Sequence, residues 1–448
     1  MAKISFPNDF LWGSATSSYQ IEGATREDQR GQSIWDVFSR TPGKVYNGDT
    51  GDTACDSYHR YKEDVALLKQ LGAKVYRFSV AWPRIYPNGV GEVNPLGLEY
   101  YHRLVDELLA NGIEPMCTLY HWDLPQALQD KGGWNSRNTI EAFVRYAETM
   151  FKSFDGKIKK WITFNEPWCI SFLSNELGDH APGNKDFQLA LNVAHHIMVA
   201  HGETVKAFRQ LGVSGEIGYA PNTEWFEPFS RQEADVEAAA RRLEYFNNWF
   251  FDPVFKGEYP QRTLSWYKAK GYEPPVEPGD METIRQPIDF LGINYYTGGI
   301  GRHNPEAGLL EFEPLSGALD QTDFEWNIYP QGFLSVLEWV NDRYGSIPIY
   351  ITENGAYYES TVGEDGKHHD PKRISYLQKH LFQLSRAIES GIQVKGYMLW
   401  SLMDNFEWAF GYSKPFGLVH VDFTTFKRTP KNSYYWYQNV IASDGFEV

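Results

Sequence analysis

The sequence has little positive charge and lacks long apolar runs. Its 42 Lys and Arg residues are outnumbered by 58 Asp and Glu, so the net charge is −16. Such a surface repels nucleic-acid phosphates and anionic lipid headgroups. No stretch of about 18 apolar residues is present to span a bilayer, and residues 1–14 lack the apolar core of a secretory signal. We therefore predict a cytoplasmic protein that binds neither nucleic acid nor membranes.

Cysteine is also scarce. Cys55, Cys117 and Cys169 lie far apart in the chain, and none belongs to a C-x-x-C pair of the kind that binds zinc or forms a redox centre. Buried free thiols in a reducing compartment are the simplest interpretation. We therefore expect neither a metal nor a cofactor.

Short apolar runs alternate with longer segments of helical periodicity along the chain. The runs predicted to be strands are residues 10–15, 74–80, 113–120, 161–165, 216–220, 288–295, 347–352 and 394–400. Segments with an apolar stripe, predicted to be helices, are residues 56–71, 98–111, 139–154, 233–251, 331–344 and 372–390. This alternation is typical of a parallel sheet with crossover helices. Eight such strands predict an α/β protein built as a (β/α)8 TIM barrel.

No linker or change in composition divides the chain, so residues 1–448 are predicted to form a single catalytic barrel domain. The strand–helix period lapses at residues 20–54, 296–329 and 401–430. Each lapse begins near the end of a predicted strand, and loops of this length in a compact domain are usually functional. We therefore expect long βα loops to form the active-site face.

Polar and aromatic residues follow nearly every predicted strand, and the carboxyl ends of barrel strands converge on one face. Glu166 after the fourth strand and Glu353 after the seventh stand out because amide residues flank both. Two carboxylates in one cleft can serve as proton donor and nucleophile, which is the minimum for cleaving a glycosidic bond. One such glutamate would more often be solvated or ion-paired, but two together favour catalysis.

Other residues at strand ends have a structural interpretation beside the functional one. Arg77 could form a structural salt bridge, or it could keep a carboxylate ionised for nucleophilic attack. His121 alone would more often be a hydrogen-bonded core histidine than a ligand or base. Trp400 and Trp408 could be packing residues.

A set of motifs in a fixed order resembles glycoside hydrolase family 1, in particular its bacterial β-glucosidases. The motifs occupy residues 10–13, 19–23, 55–61, 76–79, 119–125, 163–167, 351–355 and 400–408. The resemblance covers essentially the whole chain. It implies a retaining β-glycosidase that removes terminal β-D-glucosyl residues from aryl β-glucosides, cellobiose and short oligosaccharides through a covalent intermediate. A role in cellulose degradation would follow.

The resemblance also implies roles for individual residues. Glu353 stands at the position of the nucleophile and Glu166 at that of the acid/base, and Arg77 and Tyr296 match residues that orient the nucleophile. The charge of Glu353 should raise the pKa of Glu166 enough to keep it protonated near neutrality. The residues expected to bind substrate are Gln20, His121, Trp122, Asn165, Asn294, Tyr296, Trp400, Glu407, Trp408 and Phe416, with Trp168 and Trp326 near the leaving group.

Two alternative functions remain open. A 6-phospho-β-glycosidase would share both glutamates but lack the pair Glu407 and Trp408, and it would have a tyrosine in place of Phe416. A carboxylate beside the sugar 6-position would repel a phosphate dianion. A non-catalytic glycan-binding barrel would keep the fold without the chemistry, although both glutamates argue against it. The sequence does not fix the choice of glycone or aglycone or the number of subunits, and a homo-oligomer is compatible with it.

Overall fold

Eight parallel strands close into a barrel in the computed structural model, which describes residues 3–447. The barrel strands are β1 Leu11–Ala15, β2 Val75–Ser79, β3 Glu114–Tyr120, β4 Lys160–Asn165, β5 Glu216–Ala220, β6 Phe290–His303, β7 Ile349–Asn354 and β8 Val394–Trp400. Neighbouring strands pair in chain order from β1 to β8, and β8 pairs with β1 to complete the ring. The predicted TIM barrel is confirmed.

One main helix follows each barrel strand. These helices are α1 Ser57–Leu71, α2 Pro95–Ala110, α3 Asn138–Phe154, α4 Phe187–Leu211, α5 Glu233–Leu243, α6 Pro330–Tyr344, α7 Pro371–Glu389 and α8 Asn432–Ser443. Helix α3 shows why they form, because Ile140, Phe143, Ala147, Met150 and Phe154 recur every three or four residues and all are buried. Such a stripe covers the barrel while the opposite face meets water.

Short elements fill the connections. The short helices are Ser18–Ile21, Ile34–Arg40, Tyr46–Gly48, Trp82–Ile85, Gln126–Gln129, Gly133–Asn135, Cys169–Leu177, Glu244–Asn248, Trp249–Lys256, Gln261–Ala269, Asp280–Ile284 and Trp408–Phe410. The short strands are Lys3–Ser5, Asn222–Pro228, Phe312–Pro314, Thr361–Val362, His368–His369, Val419–Val421, Arg428–Pro430 and Gly445–Glu447. Within residues 3–447, none of the helices has both the length and the apolar character that crossing a membrane requires.

The structure corrects several predicted boundaries. Strand β6 continues to His303 although a loop was predicted from residue 296, because its second half pairs with Asn222–Pro228 and Phe312–Pro314. The predicted helix 233–251 is interrupted by the π-helical turn Glu244–Asn248. The predicted loops 20–54 and 401–430 also contain short helices or paired strands. Tertiary pairing, which local periodicity does not report, causes the difference at β6.

An apolar layer fills the inside of the barrel below its carboxyl-terminal mouth. The barrel residues in this layer are Ala15, Val75, Met116, Ile162, Ala220, Phe290, Tyr350 and Met398, all of them buried. Because side chains alternate along a strand, the residue two positions after a layer member points inward one level higher. Arg77 follows Val75 in this way. The apolar layer therefore fills the barrel directly below the polar side chains of the mouth.

A buried ion pair attaches the connection after β1 to the barrel. The carboxylate of Glu22 accepts a hydrogen bond from Nε of Arg84 at 2.7 Å and another from the Tyr101 hydroxyl at 2.6 Å. Both charged side chains are almost fully buried. Removing one partner would leave the other charge in a medium that solvates it poorly.

We expect Glu22→Ala to lower the free energy of unfolding by about 3–5 kcal/mol, because it leaves the buried Arg84 guanidinium without its carboxylate partner. The control is Glu99→Ala on α2, where Glu99 pairs with Arg103 at 2.9 Å in an exposed position and should contribute about 1 kcal/mol or less. Urea-induced unfolding followed by circular dichroism measures both. Equal losses of stability in the two variants would contradict this account.

Candidate active site

A cleft of about 760 Å³ opens at the carboxyl ends of the barrel strands. The predicted site residues that line it are His121, Trp122, Glu166, Trp168, Tyr296, Trp326, Glu353, Trp400, Glu407, Trp408 and Phe416. Four others, Gln20, Arg77, Asn165 and Asn294, lie behind this surface and hydrogen-bond to residues at or next to it. The structure therefore brings the predicted residues together at one site. One group lines the cleft, and the other supports the lining residues from behind.

Glu353 near the end of β7 is held by two charged or polar partners. Its Oε1 accepts a hydrogen bond from Arg77 at 2.7 Å, and its Oε2 accepts one from the Tyr296 hydroxyl at 2.6 Å. Burial raises the pKa of Glu353, while Arg77 and the Tyr296 hydroxyl oppose that rise. Both contacts favour the ionised carboxylate, and together they fix its orientation.

Arg77 lies in the middle of β2 and joins four barrel strands. Besides its contact with Glu353, the guanidinium donates to Oγ1 of Thr118 on β3, to Oδ1 of Asn165 on β4 and to the carbonyl of Thr352 on β7, at 3.1, 2.6 and 3.0 Å. The two interpretations of Arg77, a structural salt bridge and a cation that keeps a carboxylate ionised, thus describe the same contact. It forms a structural ion pair, and its partner is the candidate nucleophile.

Glu166 directly follows β4 and has a different environment. Its backbone adopts φ of +50°, and its N–H donates to the carbonyl of Ala220 at 2.8 Å. Its Oε1 accepts from the Asn294 amide at 2.9 Å and its Oε2 from the Cys169 thiol at 3.2 Å. Burial, and next the charge of Glu353, raise the pKa of Glu166 to about 8. Glu166 therefore holds a proton at neutral pH.

The strands that carry the two glutamates are irregular at their ends. The pairing of β4 with β5 shifts register between Ile162 and Asn165, and the pairing of β7 with β6 shifts between Ile351 and Glu353. Such irregularities re-aim side chains relative to strict alternation, and they are common beside active sites. Here they bring Asn165 and Glu353 to the inner side of the barrel mouth.

A chain of amides connects His121 to the glutamates. The Asn165 amide donates to Nε2 of His121 at 3.1 Å, and Oδ1 of Asn165 accepts from Asn294 at 2.9 Å. Burial, assisted by the charge of Arg77, lowers the pKa of His121 well below its usual value. Because Nε2 accepts, this network assigns the single ring proton to Nδ1. That nitrogen is buried and has no partner within residues 3–447.

The loop after β8 carries Glu407 and is held by Gln20. The Gln20 amide donates to Oδ1 of Asn405 at 3.0 Å and to the carbonyl of Phe406 at 2.9 Å, and its oxygen accepts from Ser17 at 2.6 Å. Gln20 is fully buried and supports the loop in this structure, so its contact with substrate stays a prediction. Oε2 of Glu407 has no partner among residues 3–447. Burial, then the nearby carboxylates, raise the pKa of Glu407 well above normal.

Aromatic rings form one wall of the cleft. Trp122 and Trp408 have ring centroids 4.5 Å apart, and His121 is stacked 5.8 Å from Trp400. Trp122 and Trp408 also have positive φ values of 81° and 48°, a strained conformation that clusters at functional sites. Flat rings beside hydrogen-bonding groups suit a sugar, whose C–H faces are apolar and whose hydroxyls are polar.

Further aromatic residues line the cleft. Phe324 and Trp326 pack with centroids 4.3 Å apart, and Tyr296 lies 5.4 Å from Trp326. Trp168 packs against Phe246 at 4.5 Å. Trp168 and Trp326 both line the cleft, and their place near the leaving group stays a prediction.

The sequence prediction missed several residues that line the cleft. They include Phe38, Lys44, Cys169, Leu173, Asp179, His180, Lys185, Glu224, Phe246, Phe324 and Phe410. Most belong to loops and short helices whose positions periodicity does not reveal. Cys169 had a local signal, since it follows Glu166 by three residues.

Some strand-end residues do not face the cleft, contrary to the prediction that strand ends mark the site. Tyr295 packs against α6, where its hydroxyl donates to the carbonyl of Tyr329 at 2.6 Å. Asn354 donates to the carbonyl of Tyr295 at 2.6 Å and accepts from the Tyr397 hydroxyl at 2.7 Å. Both lie on the outer side of the strands because side-chain direction alternates.

Comparison with known proteins agrees with this geometry. The model of Glycosyl hydrolase family 1 matches residues 2–446. The chain is 48% identical over 448 residues to Beta-glucosidase A of Acetivibrio thermocellus, with 100% of both chains covered. It is also 48% identical over 443 residues to the 1,4-beta-D-glucan glucohydrolase of Thermotoga neapolitana, covering 98% of this chain and 99% of that one.

A solved structure gives the same result. The family 1 β-glucosidase from Thermotoga maritima in complex with isofagomine lactam matches with a TM-score of 0.96 and 46% identity, covering 99% of this chain and 100% of that chain. The fold, the order of the motifs and these similarities agree along the whole chain. The chain belongs to glycosyl hydrolase family 1.

Proposed function

We propose that Glu353 is the nucleophile and Glu166 the acid/base with which this chain hydrolyses terminal β-D-glucosides. The chain is a family 1 β-glucosidase, and the family retains the anomeric configuration. The observation that carries the residue assignment is the difference between the two glutamates. Glu353 contacts Arg77, whereas Glu166 has neutral donors and a pKa of about 8.

In the first step the Glu353 carboxylate attacks the anomeric carbon while the bond to the leaving oxygen breaks. Glu166 gives its proton to that oxygen, so the leaving group departs as a neutral alcohol. Arg77 and Tyr296 hold the attacking carboxylate in place through its two oxygens. The product of this step is a glycosyl ester of Glu353.

In the second step the charge balance in the cleft reverses the role of Glu166. Glu353 is neutral as an ester, so it no longer raises the pKa of Glu166 by charge repulsion. Glu166, ionised since it gave up its proton in the first step, therefore stays ionised and accepts a proton from water as that water attacks the anomeric carbon. The ester bond breaks, Glu353 regains its charge, and the sugar leaves as the β-anomer.

Recognition of the sugar is proposed to combine donors, acceptors and a flat platform. Nδ1–H of His121 and the unpaired oxygen of Glu407 are buried groups without a protein partner among the described residues. Sugar hydroxyls both donate and accept, so they can satisfy both groups. Trp400 and Trp408 supply aromatic faces for the ring's C–H groups.

We further propose aryl β-glucosides, cellobiose and short oligosaccharides as substrates and cellulose degradation as the context, supported by the relative named a 1,4-beta-D-glucan glucohydrolase.

A cytoplasmic location is supported by three buried free cysteines, which suit a reducing compartment. One catalytic domain over residues 1–448 is supported by a family match from residue 2 to residue 446. A homo-oligomer is compatible with exposed apolar side chains such as Phe229.

The stereochemistry of the product tests the two-step mechanism. We expect the first-formed sugar to be the β-anomer, because two successive displacements at the same carbon restore its configuration. Proton NMR of the anomeric signals in the first minutes of hydrolysis measures this before mutarotation. Accumulation of the α-anomer at the start would exclude a covalent intermediate on Glu353.

The two glutamates should respond differently to substitution. We expect Glu353→Ala to abolish hydrolysis of every substrate, whereas Glu166→Ala should lose most activity on cellobiose and least on a dinitrophenyl glucoside, whose leaving group needs little protonation. Steady-state rates on both substrates measure the difference. The control is Glu114→Ala, at the opposite end of the barrel strands, where Glu114 pairs with Lys160.

In that experiment Glu114→Ala should lower activity equally on both substrates if it lowers it at all. An equal loss on both substrates for Glu166→Ala, with the first step rate-limiting, would refute its assignment as the acid.

A 6-phospho-β-glycosidase would prefer a 6-phosphorylated sugar, and the carboxyl of Glu407 disfavours binding of that phosphate. A phosphate dianion near Glu407 would add negative charge beside the Glu407 carboxyl in a cleft that already holds the ionised Glu353, which costs several kcal/mol at an effective dielectric constant of about 20. We therefore expect kcat/KM for a β-glucoside to exceed that for its 6-phosphate by at least about a hundredfold. Glu407→Ser should lower activity on the plain glucoside and narrow this ratio. Similar values for both substrates in the unmodified protein would favour the phospho-specific function.

A further inference from the structure

Cys169 is in direct contact with the acid/base but has no role in the mechanism described above. Its Sγ lies 3.2 Å from Oε2 of Glu166, and its side chain is buried at the wall of the cleft. Cys169 begins the π-helix Cys169–Leu177. Its carbonyl accepts from the Ser174 hydroxyl at 2.8 Å, so the backbone below the thiol is anchored.

A second contact defines the direction of the thiol proton. The Asn222 amide, on the strand beside β6, donates to Sγ of Cys169 at 3.7 Å. An amide nitrogen only donates, and an ionised carboxylate only accepts. When Glu166 is ionised, the single S–H proton therefore points to its Oε2, and Sγ joins Asn222 to the acid/base. Burial, then the charge of Glu166, raise the pKa of Cys169 well above its usual value, so the thiol stays protonated.

We propose that Cys169 is a positioning residue for catalysis, because its thiol holds Oε2 of Glu166 and stabilises the ionised form of that carboxyl. This proposal rests on the proposed role of Glu166. In the first step the contact favours release of the proton to the leaving group. In the second it keeps the carboxyl in the same plane while it accepts a proton from water.

The other groups around Glu166 do not replace this contact. Asn294 occupies Oε1. Glu353 and Glu407 repel the ionised form and Arg77 favours it, but these act by charge at a distance, and the Tyr296 hydroxyl is committed to Glu353. Loss of the thiol would leave Oε2 without a protein donor in the described structure. The ionised carboxyl of Glu166 would then be less favourable, and its pKa would rise.

The pH profile of kcat/KM tests the proposal, with cellobiose as a substrate that needs acid catalysis. Activity falls on the alkaline side as Glu166 loses its proton. We expect Cys169→Ala and Cys169→Val, which lack a donor, to move this alkaline limb upward by about half a pH unit to one. The acidic limb, which reports Glu353, should not move. Cys169→Ser keeps a donor and should return the alkaline limb toward its original position.

The matched control is Cys117→Ala, because Cys117 is also a buried cysteine, on β3, and no charged group shifts its pKa. It should leave both limbs in place. An alkaline limb that does not move in Cys169→Ala and Cys169→Val, or that moves equally in Cys169→Ser, would overturn the proposal. Parallel movement of both limbs would also overturn it, since that indicates a general disturbance of the cleft.

One further variant separates this proposal from the role of Glu166. Glu166→Gln cannot ionise, so its residual activity should lack the alkaline limb. If the limb persists in Glu166→Gln, the assignment of Glu166 fails. If the limb disappears there but does not move in Cys169→Ala, only the role of Cys169 fails.

Discussion

The buried ion pair between Arg77 and Glu353 is the interaction on which the site depends. Removing two charges from water costs several kcal/mol per ion, and only good geometry with further hydrogen bonds compensates for that cost. Arg77 meets this condition because its guanidinium also contacts Thr118, Asn165 and the Thr352 carbonyl. These partners lie on three other strands. The closed barrel therefore supplies the partners that stabilise the buried Arg77 guanidinium. In turn, Arg77 holds the polar groups of β3, β4 and β7 in place.

The same ion pair makes the two glutamates unequal. Arg77 reaches Glu353 directly at 2.7 Å, while Glu166 is bonded to an amide and a thiol. A carboxyl with a cationic partner ionises first, and its charge then disfavours ionisation of its neighbour. In the proposed mechanism this one cation, together with the burial of Glu166, distinguishes the nucleophile from the acid. The same proposal lets Glu166 act as a base once esterification has removed the charge of Glu353.

Much of the fold could be predicted because strand and helix periods are local. All eight barrel strands were found, and β5 and β8 have the predicted bounds. The second half of β6 was missed because its strand character depends on pairing with Asn222–Pro228. The site was predicted in outline because parallel strands bring their ends together. Tyr295 shows the limit of that rule, since a one-residue change of parity turns a side chain to the outer face.

The loops account for most of the cleft residues that the sequence prediction missed, and Glu407 shows why their arrangement matters. Its Oε2 is buried without a partner among the described residues, near two other carboxylates that raise its pKa. An unpartnered buried polar oxygen costs free energy in the unliganded protein. The loop is held before Glu407 by the bonds from Gln20 to Asn405 and to the Phe406 carbonyl. A bound hydroxyl that donates to Glu407 would remove this cost. A neutral ligand with a hydroxyl at this point therefore binds more favourably than one without it, because only the hydroxyl supplies the hydrogen bond that Glu407 lacks in the free protein.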